Sequence, residues 1–224
     1  MSSKARRKYD SQLRRAQAAR TRARIVEAAQ RLFVERGFAG ATIPAIATEA
    51  GVAVETVYRS ASGKAGLLGD AVRAAVAGGA GRADVPVIER PAIRRIIDEP
   101  DPVRQLLLYA ATQPGIWSRV GPLLRVLDAA STSDTSLIEL REQIAAERRH
   151  GLRAGLGKLL EQRGVLRSGL TAERAGDIVY TVCGQANYEA LVTQCGWTEG
   201  EYRDWLVETL VAALLPRETG AHLD

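Results

Sequence analysis

The stretch from Thr42 to Lys64, TIPAIATEAGVAVETVYRSASGK, constrains the fold of this chain more than any other. Thr42 can cap a first helix, and Pro44 lies in the first turn of that helix, where a missing N–H costs nothing. Gly51 supplies the left-handed residue that ends the helix. An apolar face at helical spacing is formed by Ile43, Ile46, Ala47 and Ala50.

A second short helix is predicted from about Val54 to Ser60, after a turn over residues 51–53. At 100° per residue, Glu55 and Arg59 lie opposite a side formed by Ala53, Val54, Val57, Ser60 and Ala61, with Thr56 and Tyr58 on the flanks. Two helices joined in this way form a helix-turn-helix, whose second helix enters the major groove of DNA. The pattern alone fits an ordinary helical hairpin in an all-α core equally well.

The neighbouring residues decide between these two interpretations. The features that matter are Ile25, Ala28, Ala29, Leu32, Phe33, Arg36-Gly37-Phe38, Thr42, Ile46, Ala47, Ala50-Gly51-Val52, Thr56, Tyr58, Lys64 and Leu67-Leu68. Through them the stretch from Thr21 to Leu68 resembles, without a gap, the DNA-binding domain of the tetracycline-repressor-like (TetR) family. The resemblance implies a dimeric regulator with a larger helical domain behind the DNA-binding domain.

The candidate DNA-binding residues are Thr42, Glu55, Thr56, Tyr58, Arg59 and Lys64, together with Arg6 and Arg7 near the N-terminus. In the family, the equivalents of Tyr58 and Lys64 contact phosphates, and both side chains are chemically suited to this. Arg59 pairs naturally with guanine O6 and N7, and Glu55 could accept a hydrogen bond from cytosine N4. Glu55 could instead favour the helix N-terminus or orient Arg59.

The chain departs from the family pattern at three places. Ala53 stands where a Ser usually follows the Gly-Val, so the second helix lacks its usual side-chain cap. Ser60 and Ala61 replace an aromatic pair, and other side chains must fill that volume. Ala65 replaces an acidic residue. These changes affect the stability and pose of the recognition helix.

The positive charge of the chain is concentrated in its first third. Residues 1–68 carry 13 Lys and Arg against 5 Asp and Glu, a net charge of +8, whereas residues 69–224 carry 18 against 21, a net charge of −3. The basic part is therefore the part that contains the helix-turn-helix. This distribution is typical of a protein that binds DNA phosphates with one domain only.

Residues 1–20 form a basic arm ahead of the family-like region. The arm contains a single acid, Asp10, against seven basic residues, Lys4, Arg6, Arg7, Lys8, Arg14, Arg15 and Arg20. We expect the first ten residues to be disordered and residues 11–20, which are rich in Ala, Gln and Arg, to be able to extend the next helix. The arm could follow phosphates or place Arg6 and Arg7 in a minor groove, or it could be a solvated tail.

The sequence predicts an all-α fold in which a three-helix DNA-binding domain over 21–68 precedes a helical regulatory and dimerisation domain over 69–215. A short tail follows over 216–224. Helix 4 begins near Lys64 and ends at the glycine-rich run 78–81. Further helices are predicted near 86–98, 101–113, 118–130, 134–163, 171–194 and 198–215, and no segment shows sustained strand alternation.

The last two predicted helices resemble the hairpin that forms the four-helix dimer interface in the TetR family. The candidate interface residues are Ile178, Val182, Ala186, Trp205, Leu206 and Leu210. Because helix 171–194 is apolar on nearly all sides, more than one layer must cover it. A purely intrachain core would satisfy the same pattern.

Polar and aromatic residues among the apolar ones of the second domain suggest a pocket for a small, mainly apolar effector. The candidates are Tyr109, Gln113, Trp117 and Gln185. They could equally be satisfied core or interface residues.

Other classes of function find little support. The only histidines, His150 and His222, do not neighbour a Cys or acid at metal-ligand spacing, so no metal, cofactor or catalytic residue is predicted. No apolar run suits a membrane span, and Cys183 and Cys195 are too far apart on one helix to bridge, which fits a reducing cytoplasm. We therefore expect a cytoplasmic, homodimeric repressor that a small molecule releases from a palindromic operator; a redox-responsive or ligand-independent DNA-binding regulator is the alternative, and an enzyme is not expected.

Overall fold

The computed structural model describes residues 3–132 and 134–216, with side chains from residue 13 onward, and within this part of the chain every regular element is helical. The α-helices, in order, are α1 Ser3–Gly40, α2 Ile43–Ala50, α3 Val54–Ser60, α4 Gly63–Ala77, α5 Pro91–Asp98, α6 Pro102–Ala110, α7 Gln113–Ser131, α8 Thr135–Leu152, α9 Lys158–Gln162, α10 Ala172–Val182, α11 Gln185–Tyr188 and α12 Glu199–Leu214. Two π-helical segments, Arg153–Gly157 and Glu189–Gln194, follow α8 and α11. The all-α prediction is confirmed.

The chain divides into two compact units. Unit 1 comprises Met1–Val85 and Arg119–Glu142, and unit 2 comprises Pro86–Ser118 and Gln143–Asp224. Residues 217–224, which include nearly all of the expected tail, lie outside the described part of the chain. Unit 1 is larger than the predicted DNA-binding domain, because it also includes residues 119–142 and the whole of α4. Helix α4 packs along α1 with a buried face of Leu67, Leu68, Ala71, Val72, Ala74 and Ala75.

Helix α1 is longer than the sequence predicted. It begins at Ser3, where we expected a disordered arm, and it includes residues 11–20, which we expected to be able to join the helix. No Gly or Pro interrupts the first 36 residues, and Ala, Arg, Lys and Gln are good helix formers. The backbone leaves helical geometry at Gly37, with φ 68° and ψ 178°, within the Arg36-Gly37-Phe38 feature of the family-like region.

Unit 1 is held by the apolar face of α1. The side chains of Ile25, Ala28, Ala29 and Phe33 are fully buried. Helix α1 packs on α2 and α4, and α2 packs on α3. Ile46 of α2 and Leu68 of α4 are also fully buried, so the helix-turn-helix rests on one continuous apolar core.

In unit 2, α10 crosses the π-helical segment Arg153–Gly157 at close range. A Cβ atom on Gly176 would lie 2.6 Å from the Cα of Arg153, so only glycine permits this approach. Beside the crossing, Arg153 and Asp177 form two hydrogen bonds, Nε to Oδ1 at 2.7 Å and a second nitrogen to Oδ2 at 2.8 Å. The pKa of Asp177 is lowered mainly by these hydrogen bonds.

The helix predicted over 171–194 is broken in the structure. Helix α10 ends at Val182, and Gly184 has an extended backbone with φ −74° and ψ 155°. Side chains supply the donors that the C-terminal carbonyls of α10 would otherwise lack. Asn187 donates to the carbonyls of Thr181 and Val182. Arg148 donates to the carbonyls of Tyr180 and Cys183.

The prolines of α7 lie inside the helix, whereas the sequence predicted a break between two helices at Pro114. Helix α7 begins at Gln113, includes Pro114 in its first turn and continues through Pro122 to Ser131. Proline is tolerated in a first turn because the N–H it lacks has no intrahelical partner there. The predicted pair of helices over 101–113 and 118–130 is therefore replaced by α6 and a longer α7.

Candidate nucleic-acid interface and effector site

The turn between α2 and α3 is fixed at both ends by hydrogen bonds. The hydroxyl of Thr42 accepts from the backbone N–H of Ala45 at 3.2 Å, which caps α2 as predicted. Gly51 has the left-handed conformation expected, with φ 63° and ψ 45°. Arg24 of α1 donates to the carbonyls of Ala50 and Gly51, so α1 holds the end of α2 directly.

Arg24 is a functional-site residue that the sequence reasoning missed. Its partners are backbone carbonyls, which leave no signature in the sequence, and it occupies an ordinary exposed position of an amphipathic helix. The nearby ion pairs Arg31–Glu49, at 2.8 Å, and Arg22–Asp70, at 2.9 Å, also join α1 to α2 and α4. These pairs are largely exposed, and each adds little to stability.

Helix α3 has one buried side chain, and its other side chains are partly or fully exposed. Val57 is 1% exposed, whereas Tyr58 is 61% exposed. Glu55 and Arg59 are exposed and Thr56 is half-buried, which agrees with the placement that the helical periodicity predicted. The N-terminal residue Ala53 has the extended backbone of a cap but makes no side-chain cap hydrogen bond.

Arg59 lies back along its own helix. Its Nε donates to the carbonyl oxygen of Glu55 at 3.4 Å, and a terminal nitrogen donates to Oγ1 of Thr56 at 3.5 Å. Both hydrogen bonds are long, so little is lost when the guanidinium leaves them for a stronger acceptor. The exposed face of α3 therefore offers a cation, a carboxylate, a hydroxyl and a phenol within two turns.

Lys64, at the start of α4, is tied to the end of α1. Its Nζ donates to the carbonyl oxygen of Ala39 at 3.2 Å and lies 4.5 Å from the centre of the Phe38 ring. Partial burial lowers the pKa of Lys64. The phenyl ring of Phe38 stacks on that of Phe33, with 5.9 Å between the centroids. Lys64 thus connects α4 to the aromatic core, a role that the resemblance did not imply.

The side chains of Arg6 and Arg7 lie outside the described residues. Further along α1, residues 13–20 are all exposed, including Arg14, Arg15 and Arg20. The basic charge of the arm therefore continues as an exposed helical surface up to the first buried residue, Ile25.

Three of the four predicted effector residues lie near one another in unit 2. Burial raises the pKa of Tyr109. The charge of Arg148 and a hydrogen bond with the side chain of Gln113 lower it, so both residues lie close to the Tyr109 hydroxyl. Trp117 follows one turn after Gln113, and its ring centre lies 5.1 Å from the guanidinium carbon of Arg148. We call Tyr109, Gln113, Trp117, Arg148, Cys183 and Tyr202 the Arg148 cluster. Gln185 instead donates to Glu189 at 2.8 Å.

The structure corrects the predicted dimer surface. Leu206 and Leu210 are fully buried within the single chain and cannot form an interface. They lie on the side of α12 that packs against α6 and α10, so the apolar stripe of α12 serves mainly the intrachain core. Ala186 is exposed, and the other three predicted residues, Ile178, Val182 and Trp205, are partly exposed.

The described part of the chain contains no helix that could span a membrane, and no group of His, Cys, Asp and Glu residues within it could hold a metal ion. Cys183 is fully buried, and burial raises the pKa of its thiol to about 12. Cys195 is exposed and carries no disulfide.

Comparisons with known proteins agree with this geometry. Residues 25–71 match the family model of bacterial regulatory proteins, tetR family. No curated protein matches the chain. One similar structure is assigned to the TetR family of transcriptional regulators and comes from Mesorhizobium loti MAFF303099; it is 19% identical with a TM-score of 0.64, and the match covers 89% of this chain and 98% of that one.

Two further structures have known roles. NalD, the secondary repressor of the MexAB-OprM multidrug efflux pump in Pseudomonas aeruginosa, is 21% identical, with coverage of 88% and 98% and a TM-score of 0.61. The transcriptional regulator FadR from Bacillus subtilis, in complex with stearoyl-CoA, is 18% identical, with coverage of 84% and 97% and a TM-score of 0.63. At these identities the likeness concerns the fold alone. The helix-turn-helix geometry of α2 and α3 agrees with the match of residues 25–71 to the tetR family of bacterial regulatory proteins.

Proposed function

We propose that the protein is a dimeric, sequence-specific repressor in the cytoplasm, released from a palindromic operator by a small molecule. The observation that carries the DNA-binding part is the construction of α3. One apolar side chain, Val57, anchors the helix, while Glu55, Tyr58 and Arg59 are exposed on it. A short helix of this kind is suited to the major groove.

Arg59 is the residue we expect to determine sequence preference. A guanidinium donates two parallel hydrogen bonds to guanine O6 and N7, and the weak intrahelical bonds of Arg59 do not prevent this. Tyr58 and Lys64 are expected to contact phosphates, with Lys64 giving up or sharing its bond to Ala39. Thr42 and Thr56 complete the candidate contact surface.

The test is selection of binding sites from a pool of random duplexes, followed by titration of the best site. Arg59→Ala should weaken binding by about 1–3 kcal/mol and remove the preference at one base position of each half-site. Tyr58→Phe should weaken all sites about equally. Arg203→Ala, on an exposed position of α12, serves as the control for loss of a positive charge. An unchanged preference in Arg59→Ala would contradict the orientation of α3 proposed here.

A two-fold dimer is proposed because two recognition helices must meet half-sites one DNA turn apart. The partly exposed side chains Ile178, Val182 and Trp205, with Ala186, are the surface we assign to it. Ala186→Arg should give monomers in sedimentation, whereas Ala129→Arg, at an exposed alanine of α7, should leave the dimer intact. A wild-type monomer at micromolar concentration would contradict this proposal.

The basic N-terminal part of α1 is proposed to bind phosphates beside the half-site, with Arg6 and Arg7 near a minor groove. Each neutralised phosphate adds about 0.9 to the slope of log affinity against log salt concentration. If each of two arms makes two or three contacts, deletion of residues 2–18 should lower that slope by roughly 4–5. Equal slopes would show that the arm is a solvated tail.

The redox-responsive alternative finds little support in Cys183. A thiol must ionise and be accessible to react, and Cys183 is fully buried with a pKa raised to about 12. Small-molecule control is favoured instead, since the Arg148 cluster gathers polar side chains inside unit 2. The solved structure of FadR with stearoyl-CoA shows that the same fold can hold an organic ligand.

A further inference from the structure

Arg148 of α8 occupies an unusual position for a cation. Its guanidinium lies between two aromatic rings, 5.1 Å from the centre of Trp117 and 4.7 Å from that of Tyr180. Two of its nitrogens donate to backbone carbonyls, to Tyr180 at 3.0 Å and to Cys183 at 2.7 Å. Among the described residues no carboxylate pairs with it, although a guanidinium has five N–H donors.

Two further donors of the Arg148 cluster make no hydrogen bond of normal length and angle. They are the indole Nε1 of Trp117 and the hydroxyl of Tyr202, which lie close to each other and are buried. Trp117 is 5% exposed and Tyr202 is fully buried. Burial raises the pKa of Tyr202, and the nearby charge of Arg148 and the side chain of Trp117 act in the opposite direction. A buried donor without an acceptor costs about 1–3 kcal/mol, so the unliganded cluster is polar, donor-rich and unsatisfied.

We propose that Arg148, Trp117 and Tyr202 bind the carboxylate, or a similar anionic group, of a small aromatic effector. This inference rests on the proposed function and specifies the class of effector. An anion supplies acceptors to the guanidinium, to the indole N–H and to the phenolic hydroxyl, and it neutralises a charge that no carboxylate in the described part of the chain pairs with. A neutral apolar effector, which the sequence suggested, would supply no acceptor to any of these three groups.

The surrounding rings determine the shape of the rest of the effector. Tyr188 meets Tyr202 edge to face, with 5.2 Å between the centroids, and Trp205 stacks on Tyr202 at 6.0 Å. Aromatic side chains interact well with a flat ring placed against them. The expected effector is therefore an aryl carboxylate rather than a long-chain fatty acid or a cation.

The position of Arg148 also connects this site to the break between α10 and α11. The carbonyls that Arg148 binds belong to the last turn of α10 and to the residue before Gly184. A carboxylate that draws the guanidinium towards itself weakens those bonds and changes the end of α10. This helix carries part of the proposed dimer surface, so the effector acts on the arrangement of the two DNA-binding domains. By linkage, it must bind the form of the protein that releases the operator more tightly.

Calorimetric titration of the full-length protein tests the proposal without DNA. The probes are benzoate and 2-naphthoate, with benzamide and 2-naphthamide as neutral counterparts of the same shape. We expect at least one acid to bind and to raise the melting temperature, and its amide to bind at least tenfold more weakly. If neither acid binds better than its amide, the proposal is wrong.

Three variants assign the effect to the cluster. Arg148→Met keeps the length and apolar contacts of the side chain and should abolish the preference for the acid, whereas Arg149→Met, at the exposed neighbouring residue, should retain it. Arg148→Met removes hydrogen bonds to the end of α10 and could impair folding, so Tyr202→Phe provides a second test. This variant should bind the acid about tenfold or more weakly and should bind the amide as well as the wild type does. Retained preference in a folded Arg148→Met protein, or equal binding by Tyr202→Phe, would overturn the assignment.

Operator binding by the unliganded protein is measured separately on the selected duplex. If the protein binds the duplex but shows no preference for acids, only the effector class is wrong. If it binds acids but no DNA sequence, the proposed regulatory function is wrong. Release of the duplex by the acid, and not by the amide, is the result expected when both are correct.

Discussion

The recognition helix of unit 1 and the Arg148 cluster of unit 2 place polar side chains in opposite ways. Helix α3 exposes Glu55, Tyr58 and Arg59 around one buried anchor, and all of them come from seven consecutive residues. The Arg148 cluster buries most of its polar groups and leaves Arg148 and Tyr109 partly exposed, and its members come from α6, α7, α8 and α12 and from the end of α10. The first arrangement is determined locally, whereas the second exists only after distant segments have packed. Local patterns therefore predicted which side chains of α3 are exposed far better than which side chains of unit 2 lie together.

The largest expected effect comes from removing the aromatic core of unit 1. Phe33→Ala deletes a fully buried ring and should lower the free energy of unfolding by about 3–5 kcal/mol. The neighbouring Val34 is 50% exposed, and Val34→Ala should change stability by less than about 0.5 kcal/mol. Urea denaturation followed by circular dichroism measures both variants.

The same experiment separates the two units, because all three tryptophans, Trp117, Trp197 and Trp205, lie in unit 2. We expect the midpoint detected by circular dichroism to fall further in Phe33→Ala than the midpoint detected by tryptophan fluorescence. Coincident transitions would show that the two units unfold as one. The difference between α3 and the Arg148 cluster would then concern how each is built and not how stable each unit is.

A smaller effect is expected at the close helix crossing of unit 2. A methyl group on Gly157 would overlap the carbonyl oxygen of Ala172, so Gly157→Ala should lower the free energy of unfolding by about 1–3 kcal/mol. Gly155, in the same π-helical segment, has nothing within 4 Å of its added Cβ, and Gly155→Ala should be neutral or stabilising by up to about 1 kcal/mol. Thermal unfolding monitored by tryptophan fluorescence distinguishes them. Equal changes in stability for the two variants would mean that α10 and the π-helical segment can move apart at little cost.

The smallest effect concerns the missing cap of α3. Ala53 already has the extended backbone of a cap residue, with φ −71° and ψ 149°, so Ala53→Ser should stabilise unit 1 by about 0.5–1 kcal/mol through a hydrogen bond to a first-turn N–H. The Thr and Val side chains have nearly the same shape, so a comparison of Ala53→Thr with Ala53→Val isolates the contribution of the hydroxyl. Circular dichroism at increasing urea concentration is the measurement, and equal midpoints for the Thr and Val variants would exclude capping.

Sequence reasoning was most accurate where one residue type has one local role. Thr42 as a cap, Gly51 as the left-handed turn and Val57 as the anchor of α3 were all predicted, because each depends on neighbours within a few positions. Tyr109 and Trp117 were assigned to one pocket from their residue types and lie near one another in the structure, and their binding of an effector stays a prediction. Their partner Arg148 was missed, because an arginine in a charged run is usually solvated.

The remaining differences have long-range causes. The break at Gly184 depends on donors from Arg148 and Asn187, of which the first is 36 positions away in the sequence. The burial of Leu206 and Leu210 depends on which neighbours cover α12, and an apolar stripe fits an intrachain core and a dimer interface equally well. The extension of α1 to Ser3 reflects the helix propensity of a segment that contains no Gly or Pro.

The continuity of α1 changes how the basic N-terminal part can find its target. At 1.5 Å per residue, the segment ahead of Ile25 measures about 33 Å, close to the length of one turn of B-DNA. A loose arm samples many directions and loses affinity gradually as the DNA is shortened. A rod of this length extends in one direction only, so under the proposed function its charges would meet all of the flanking phosphates or none. Affinity measured on duplexes of increasing length should then rise in a single step, at the length where the flanks first reach the end of the rod.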